Sequence, residues 1–127
     1  MACSDEFVAH VLDLMRPWAR PEALRAQVMF GGYGIARASL NFAIAAHDAL
    51  FFKTDAQTQA QFVQAGSRPL EYTARGRQVR LNYWSAPEAC LENAEAMAQW
   101  CALAWGAALR ADARKKRKTN PPSNSGT

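Results

Sequence analysis

A run of alternating residues sets the tightest limit on this chain. Leu40, Phe42 and Ile44 alternate with Asn41, Ala43 and Ala45, a period of two that gives a strand one apolar face. His47-Asp48 then forms a tight turn into a second apolar run, Ala49-Leu50-Phe51-Phe52-Lys53. Strands joined this closely pair antiparallel, because a parallel crossover needs roughly a dozen residues or more. The pattern repeats downstream, where Leu70-Glu71-Tyr72-Thr73 and Val79-Arg80-Leu81-Asn82-Tyr83 flank Arg75-Gly76, a second hairpin signature. Upstream, Val28-Met29-Phe30 is a buried strand candidate that ends at Gly31-Gly32.

Helices are predicted before, between and after these strands. Ser4 caps the first, Asp5 and Glu6 suit the positive end of its dipole, and Phe7, Val11, Leu14 and Met15 recur at helical spacing. Pro17 is expected to stop it, with a short turn or helix beginning at Pro21. Thr54 and Asp55 offer N-caps for a helix over 56–65 that buries Phe62 and Val63 and ends at Gly66. Ser85-Ala86-Pro87-Glu88 has a capping-box pattern, and Asn93 offers a fresh cap. Met97, Trp100, Cys101, Ala104, Trp105, Ala108 and Leu109 then trace one helical stripe. The predicted class is α+β, a single antiparallel-rich sheet with helices in the order α-β-β-β-α-β-β-α.

Charge divides the chain. Of its 127 residues, with net charge +4, positions 110–127 hold six basic residues and one acid, and positions 1–109 are nearly neutral. The reading is one domain over 1–112 and a basic, disordered C-terminal tail over 113–127. No apolar run suggests a membrane span, and acids stand where a leader needs bases, so the expected location is cytoplasmic. Cys3, Cys90 and Cys101 are odd in number and form no Cys-x-x-Cys pair, which points away from a disulfide framework or zinc site.

Candidate chemistry is sparse. Met29-Phe30-Gly31-Gly32-Tyr33-Gly34 can be read as a phosphate-cradling loop, but Arg37 stands where a dinucleotide fingerprint needs glycine, and a strand follows rather than a helix. The plainer reading is structural, with glycines where one strand bends into the next. His10, His47 with Asp48, Cys90 and Cys101 form no recognised catalytic arrangement, so no enzyme activity and no cofactor are expected. Tyr72, Tyr83 and Trp84 lie near Arg75, Arg77 and Arg80, as a base-stacking platform or as an ordinary sheet face. Arg114, Lys115, Lys116, Arg117 and Lys118 are the candidate contacts for weak, nonspecific nucleic-acid binding, or serve to solubilise. Trp100 and Trp105 are candidate interface residues, for a homodimer or an unidentified protein partner.

These residues resemble the N-terminal domain of the TfoX/Sxy family of bacterial natural-competence regulators. The resemblance is carried by Met29-Phe30-Gly31-Gly32-Tyr33-Gly34-Ile35 and the hydrophobic hairpin from Phe42 to Lys53. It continues in Phe62, Ala65-Gly66-Ser67, Pro69-Leu70 and Tyr72, then Leu81-Asn82-Tyr83-Trp84, Pro87-Glu88 and Trp100, and covers about residues 5–110. It implies a helix, three strands, a helix, two strands and a helix. It also implies transcriptional co-activation beside a cyclic-AMP receptor protein, in regulators that typically carry a second, C-terminal domain. It supplies no catalytic residues, and its glycines carry over as a structural signature at Gly31, Gly32 and Gly34.

Overall fold

In a computed structural model, which describes residues 4–29 and 31–119, four strands follow the first helix as a meander. These are β1 (Leu24–Met29), β2 (Gly32–Arg37), β3 (Leu40–Ala46) and β4 (Ala49–Lys53), after α1 (Asp5–Ala19). Then come α2 (Gln59–Gln64), β5 (Pro69–Ala74), β6 (Arg77–Ser85), a 3-10 turn at Glu88–Leu91 and α3 (Ala94–Thr119). All strands join one six-stranded antiparallel sheet in the order β1-β2-β3-β4-β6-β5. Three of its links are two-residue turns with both residues at positive φ: Ala38-Ser39, His47-Asp48 and Arg75-Gly76. Turns of this hand match the right-handed twist of the strands they join.

The α+β class holds, and the sheet has one strand more than the sequence predicts. That strand is β2, whose Gly32, Gly34 and Ala36 lack the bulk that marks a strand. It forms because β1 pairs along one side and β3 along the other. Pro17 does not stop α1, which runs on to Ala19. The proline forgoes one backbone bond, but the Arg20 N–H reaches Arg16 O at 3.1 Å and Ala19 is fully buried. Beyond it, residues 20–23 turn directly into β1.

Two predicted caps serve other ends. Asp55 Oδ1 accepts from the Gln57 N–H at 3.0 Å, so the residues after Asp55 form a turn and α2 starts only at Gln59. Ser85 ends β6, and its Oγ accepts from the Arg68 N–H at 3.0 Å instead of opening a helix. Asn93 does cap α3, its Oδ1 accepting from the Ala96 N–H at 2.8 Å. No break marks the expected boundary after residue 112. α3 carries on through 113–119, because lysine and arginine favour helix and Asp112 pairs with Lys116 one turn on at 3.2 Å. Residues 120–127, the rest of the predicted tail, lie outside the described residues.

The three helices and the 3-10 turn share one face of the sheet. Val8, Val11 and Met15 of α1, Phe62 of α2, Cys90, and Met97, Cys101, Ala104 and Ala108 of α3 pack there on Ile35, Phe42, Ala43, Ala45, Leu50 and Phe52. The register fixes this side, since Ala43↔Phe52 and Ala45↔Leu50 alternate with Ile44↔Phe51. Ile44, Ala46 and Leu70 form a separate buried cluster, and Ile44 and Phe51 place it on the opposite face.

Candidate functional site

The glycine motif is a packing device. Gly31 turns the chain at φ 78°, between Met29 at the end of β1 and Gly32 at the start of β2. A Cβ on Gly32 would stand 2.1 Å from Ala45 O and 3.0 Å from Ala46 Cα, inside the backbone of β3. A Cβ on Gly34 would stand 2.5 Å from Asn41 Oδ1 and 3.0 Å from Met29 Sδ, so the Met29 thioether crosses β2 at the place where a side chain is missing. Both glycines sit in strand ladders, Gly32 opposite Met29 and Gly34 between Gln27 and Ile44. A phosphate cradle needs amides that converge at a helix start, and this segment has none. Tyr33 packs against the helix-side core, and Phe30 lies outside the described residues.

With Met29 laid over β2, an apolar stripe crosses the sheet on the side away from the helices. It runs from Met29 of β1 through Ile44 and Ala46 of β3, Phe51 of β4, and Leu81 and Tyr83 of β6, to Leu70 of β5. Ile44 is only 1% exposed because its strand neighbours cover it, while Met29, Phe51, Leu81 and Tyr83 remain partly open. Among the described residues, every member of this cluster comes from a strand.

Trp100 and Trp105 make their ring contacts within the chain. Trp105 meets Phe42 at 6.1 Å and Trp18 at 6.3 Å, edge on, and Trp100 meets Phe62 at 4.9 Å. The Arg37 guanidinium lies 4.7 Å from the Trp18 ring and 5.0 Å from that of Trp105, an arrangement that ties β2 to α1 and α3. Trp84 is also packed on the helix-side core, and Arg80 pairs with Glu71 at 3.1 Å, contacts that fit the ordinary sheet face of the two readings. Tyr83 faces the other way, in the stripe; of Tyr72 only the backbone is described.

Cys90 and Cys101 are both fully buried free thiols. Burial pushes the Cys90 thiol up to about 12, and burial with Cys90 beside it raises Cys101 further above the usual thiol range. Such thiols are poor nucleophiles at neutral pH. His10 Nε2 donates to Leu91 O at 2.9 Å, and Asp48 Oδ1 accepts from the Ser4 N–H at 2.8 Å, so both secure the fold. Among the described residues no group of three or more His, Cys, Asp or Glu side chains could hold a metal, and no helix is long and apolar enough to cross a membrane.

The basic end of α3 does not stand apart from the body. Two cavities open on either side of Lys53, the last residue of β4. The first, of about 270 Å³, is lined by Ser39, Asn41, Tyr83, Asp112 and Lys115 beside Lys53. The second, of about 290 Å³, is lined by Asp55, Gln59, Asn82 and Arg114 beside Lys53, and Ala111 borders both. Lys53 Nζ lies 5.2 Å from the Tyr83 ring. Burial, and secondarily the Arg114 charge, hold its ammonium below the usual lysine range. The carboxylates are already engaged. Asp55 takes Arg110 through two bonds, at 2.6 and 3.1 Å, and Asp112 takes Lys116. The Arg110 hydrogen bond is the main reason that the Asp55 carboxyl sits below its ordinary range.

Of the predicted basic contacts, Arg114 and Lys115 reach this cleft. Lys116 and Arg117 lie exposed beyond it, and the Lys118 side chain is outside the described set. A single lysine ending an apolar strand carries no mark of its partners about sixty residues away, so the sequence does not single out Lys53. No curated protein matches this chain. The family model of the TfoX N-terminal domain matches residues 13–108, from the middle of α1 into α3, and the chain therefore belongs to the TfoX N-terminal domain family.

Proposed function

We propose that this domain is a non-catalytic, cytoplasmic interaction module that works through protein contacts in transcriptional regulation of the competence type. The observation that supports the reading most directly is the apolar stripe from Met29 to Leu70, which spans the sheet and, among the described residues, draws all its members from strands. An apolar face without a covering layer is a common mark of a protein-contact surface. Membership of the TfoX N-terminal domain family supports the regulatory setting. The partner is a second copy of the chain or another protein of the regulatory assembly.

Light scattering over a concentration range, on the unmodified chain and on Leu81→Glu, tests this. Leu81 is partly open in the stripe, so a charge there disrupts a contact without entering the helix-side core. The expected result is association that Leu81→Glu abolishes, or partners cross-linked in native cytoplasm that the variant no longer captures. A chain that stays monomeric and captures the same proteins with and without the substitution refutes the reading.

A further inference from the structure

We propose that the cleft around Lys53 is a phosphate-binding site that seats the backbone of a nucleic-acid strand. This goes beyond the protein-contact reading and rests on a different set of residues, of which only Tyr83 also belongs to the apolar stripe. The first argument is charge that the fold leaves unbalanced. Lys53 and Arg114 face the same cavity, and neither has an ion-pair partner among the described residues. The two nearby acids cannot serve, since Asp55 is held by Arg110 and Asp112 by Lys116. Bringing a partly buried ammonium toward a guanidinium is unfavourable by itself, and an anion between them reverses the sign.

The second argument is the set of neutral groups. Tyr83 Oη accepts from Asn41 Nδ2 at 3.1 Å, which leaves its own proton to donate into the cavity that Lys53 and Ser39 also line. Gln59 and Asn82 border the other cavity. Mixed cationic and hydroxyl or amide donors are what phosphate oxygens require. The third argument favours a strand over a single phosphate. Two cavities lie side by side across Lys53, and exposed Arg117 extends the positive surface along α3. None of these groups presents a pattern that reads bases, so the contact is to the backbone and is nonspecific.

The test is fluorescence anisotropy of a labelled single-stranded oligonucleotide against the full chain over a salt series. Each lost phosphate contact lowers the slope of log affinity against log salt by about 0.7 for a single strand. Lys53→Gln and Arg114→Gln are each expected to lose about that much, Lys53→Arg to restore it, and Arg77→Gln, at the exposed start of β6, to lose nothing. Arg114 is exposed, so its variant remains informative should Lys53→Gln fail to fold. Unchanged slopes for both cleft variants, with a loss for Arg117→Gln, would place the contact on the helix end and overturn the proposal. Inorganic phosphate and a nucleoside monophosphate form the second arm, read by amide shifts at Lys53 and Ala111. Should these saturate the site while the oligonucleotide binds no more tightly, the ligand is a free phosphate and the strand assignment fails.

Discussion

Replacing Gly32 by alanine adds one methyl group at the most crowded backbone position among the described glycines. The new carbon would meet Ala45 O at 2.1 Å, so β2 and β3 must part by about 0.9 Å to reach even the 3.0 Å at which real contacts begin. The obstacle is backbone, and β3 cannot retreat, because its own Phe42, Ala43 and Ala45 are fully buried against the helices and β4 pairs along its other edge. Overpacking costs about 1–3 kcal/mol in most cores, and a rigid obstacle puts Gly32→Ala at the upper end, about 3 kcal/mol. Gly34→Ala meets the tip of the Asn41 side chain at 2.5 Å, which can swing away. Its cost is the loss of the Asn41 Nδ2 bonds to Ala43 O and Tyr83 Oη, about 1–2 kcal/mol. Gly76→Ala meets nothing within 4 Å and costs about 1 kcal/mol of left-handed strain. At about 4 °C per kcal/mol for a domain of this size, the three should fall by about 12, 4–8 and 4 °C. Thermal and urea unfolding followed by circular dichroism measures all three. If Gly32→Ala is no worse than Gly76→Ala, close strand approach is not why the motif contains glycine.

The remaining predictions concern other contacts. The Asp55 carboxyl is held below its unfolded range by Arg110, so its contribution is present above about pH 4 and disappears as pH falls through the lower folded value. Asp55→Asn should therefore flatten the acid limb of a stability–pH profile, and a limb of unchanged steepness refutes the assignment. Arg37→Ala should cost about 1–3 kcal/mol in urea unfolding and change the tryptophan emission, because it removes a cation from between Trp18 and Trp105. Arg37→Met, which keeps the packing, should recover only part of that loss. In a Cys3→Ser background, a thiol reagent at pH 8 should label Cys90 and Cys101 only as fast as the chain unfolds, since both are buried and raised. Rapid labelling of the folded chain would contradict their burial.

Much of the fold was legible because its signals are local. Hairpin turns at His47-Asp48 and Arg75-Gly76, the Asn93 cap and the Met97–Leu109 stripe, whose last residue turns out 47% exposed, each occupy a few consecutive residues or one helix face. β2 was missed for the opposite reason, since its glycines owe their strand geometry to neighbours on both sides. Loss of apolar periodicity after residue 112 predicts loss of structure, yet helix propensity and the Asp112–Lys116 pair sustain α3 to Thr119. The Lys53 cleft was invisible because it depends on where α3 crosses the end of β4. The helical stripe places Trp100 and Trp105 without revealing which ring each meets, Phe62 for the first and Phe42 and Trp18 for the second.

The order β4-β6-β5 joins the sheet from two pieces, the β1–β4 meander and the β5–β6 hairpin. The β1–β4 meander closes through short local turns, whereas β4 and β6 meet over only three residue pairs, Phe51↔Ser85, Phe52↔Trp84 and Lys53↔Tyr83. Forming that joint closes a longer loop than any of the two-residue turns, and it has fewer residue pairs than any other ladder among the described strands. The apolar stripe crosses the joint between Phe51 and Leu81, and the cleft straddles it at Lys53 and Tyr83. A ligand on either surface would therefore stitch the two pieces together, and the domain would report occupancy as resistance to opening along that single seam.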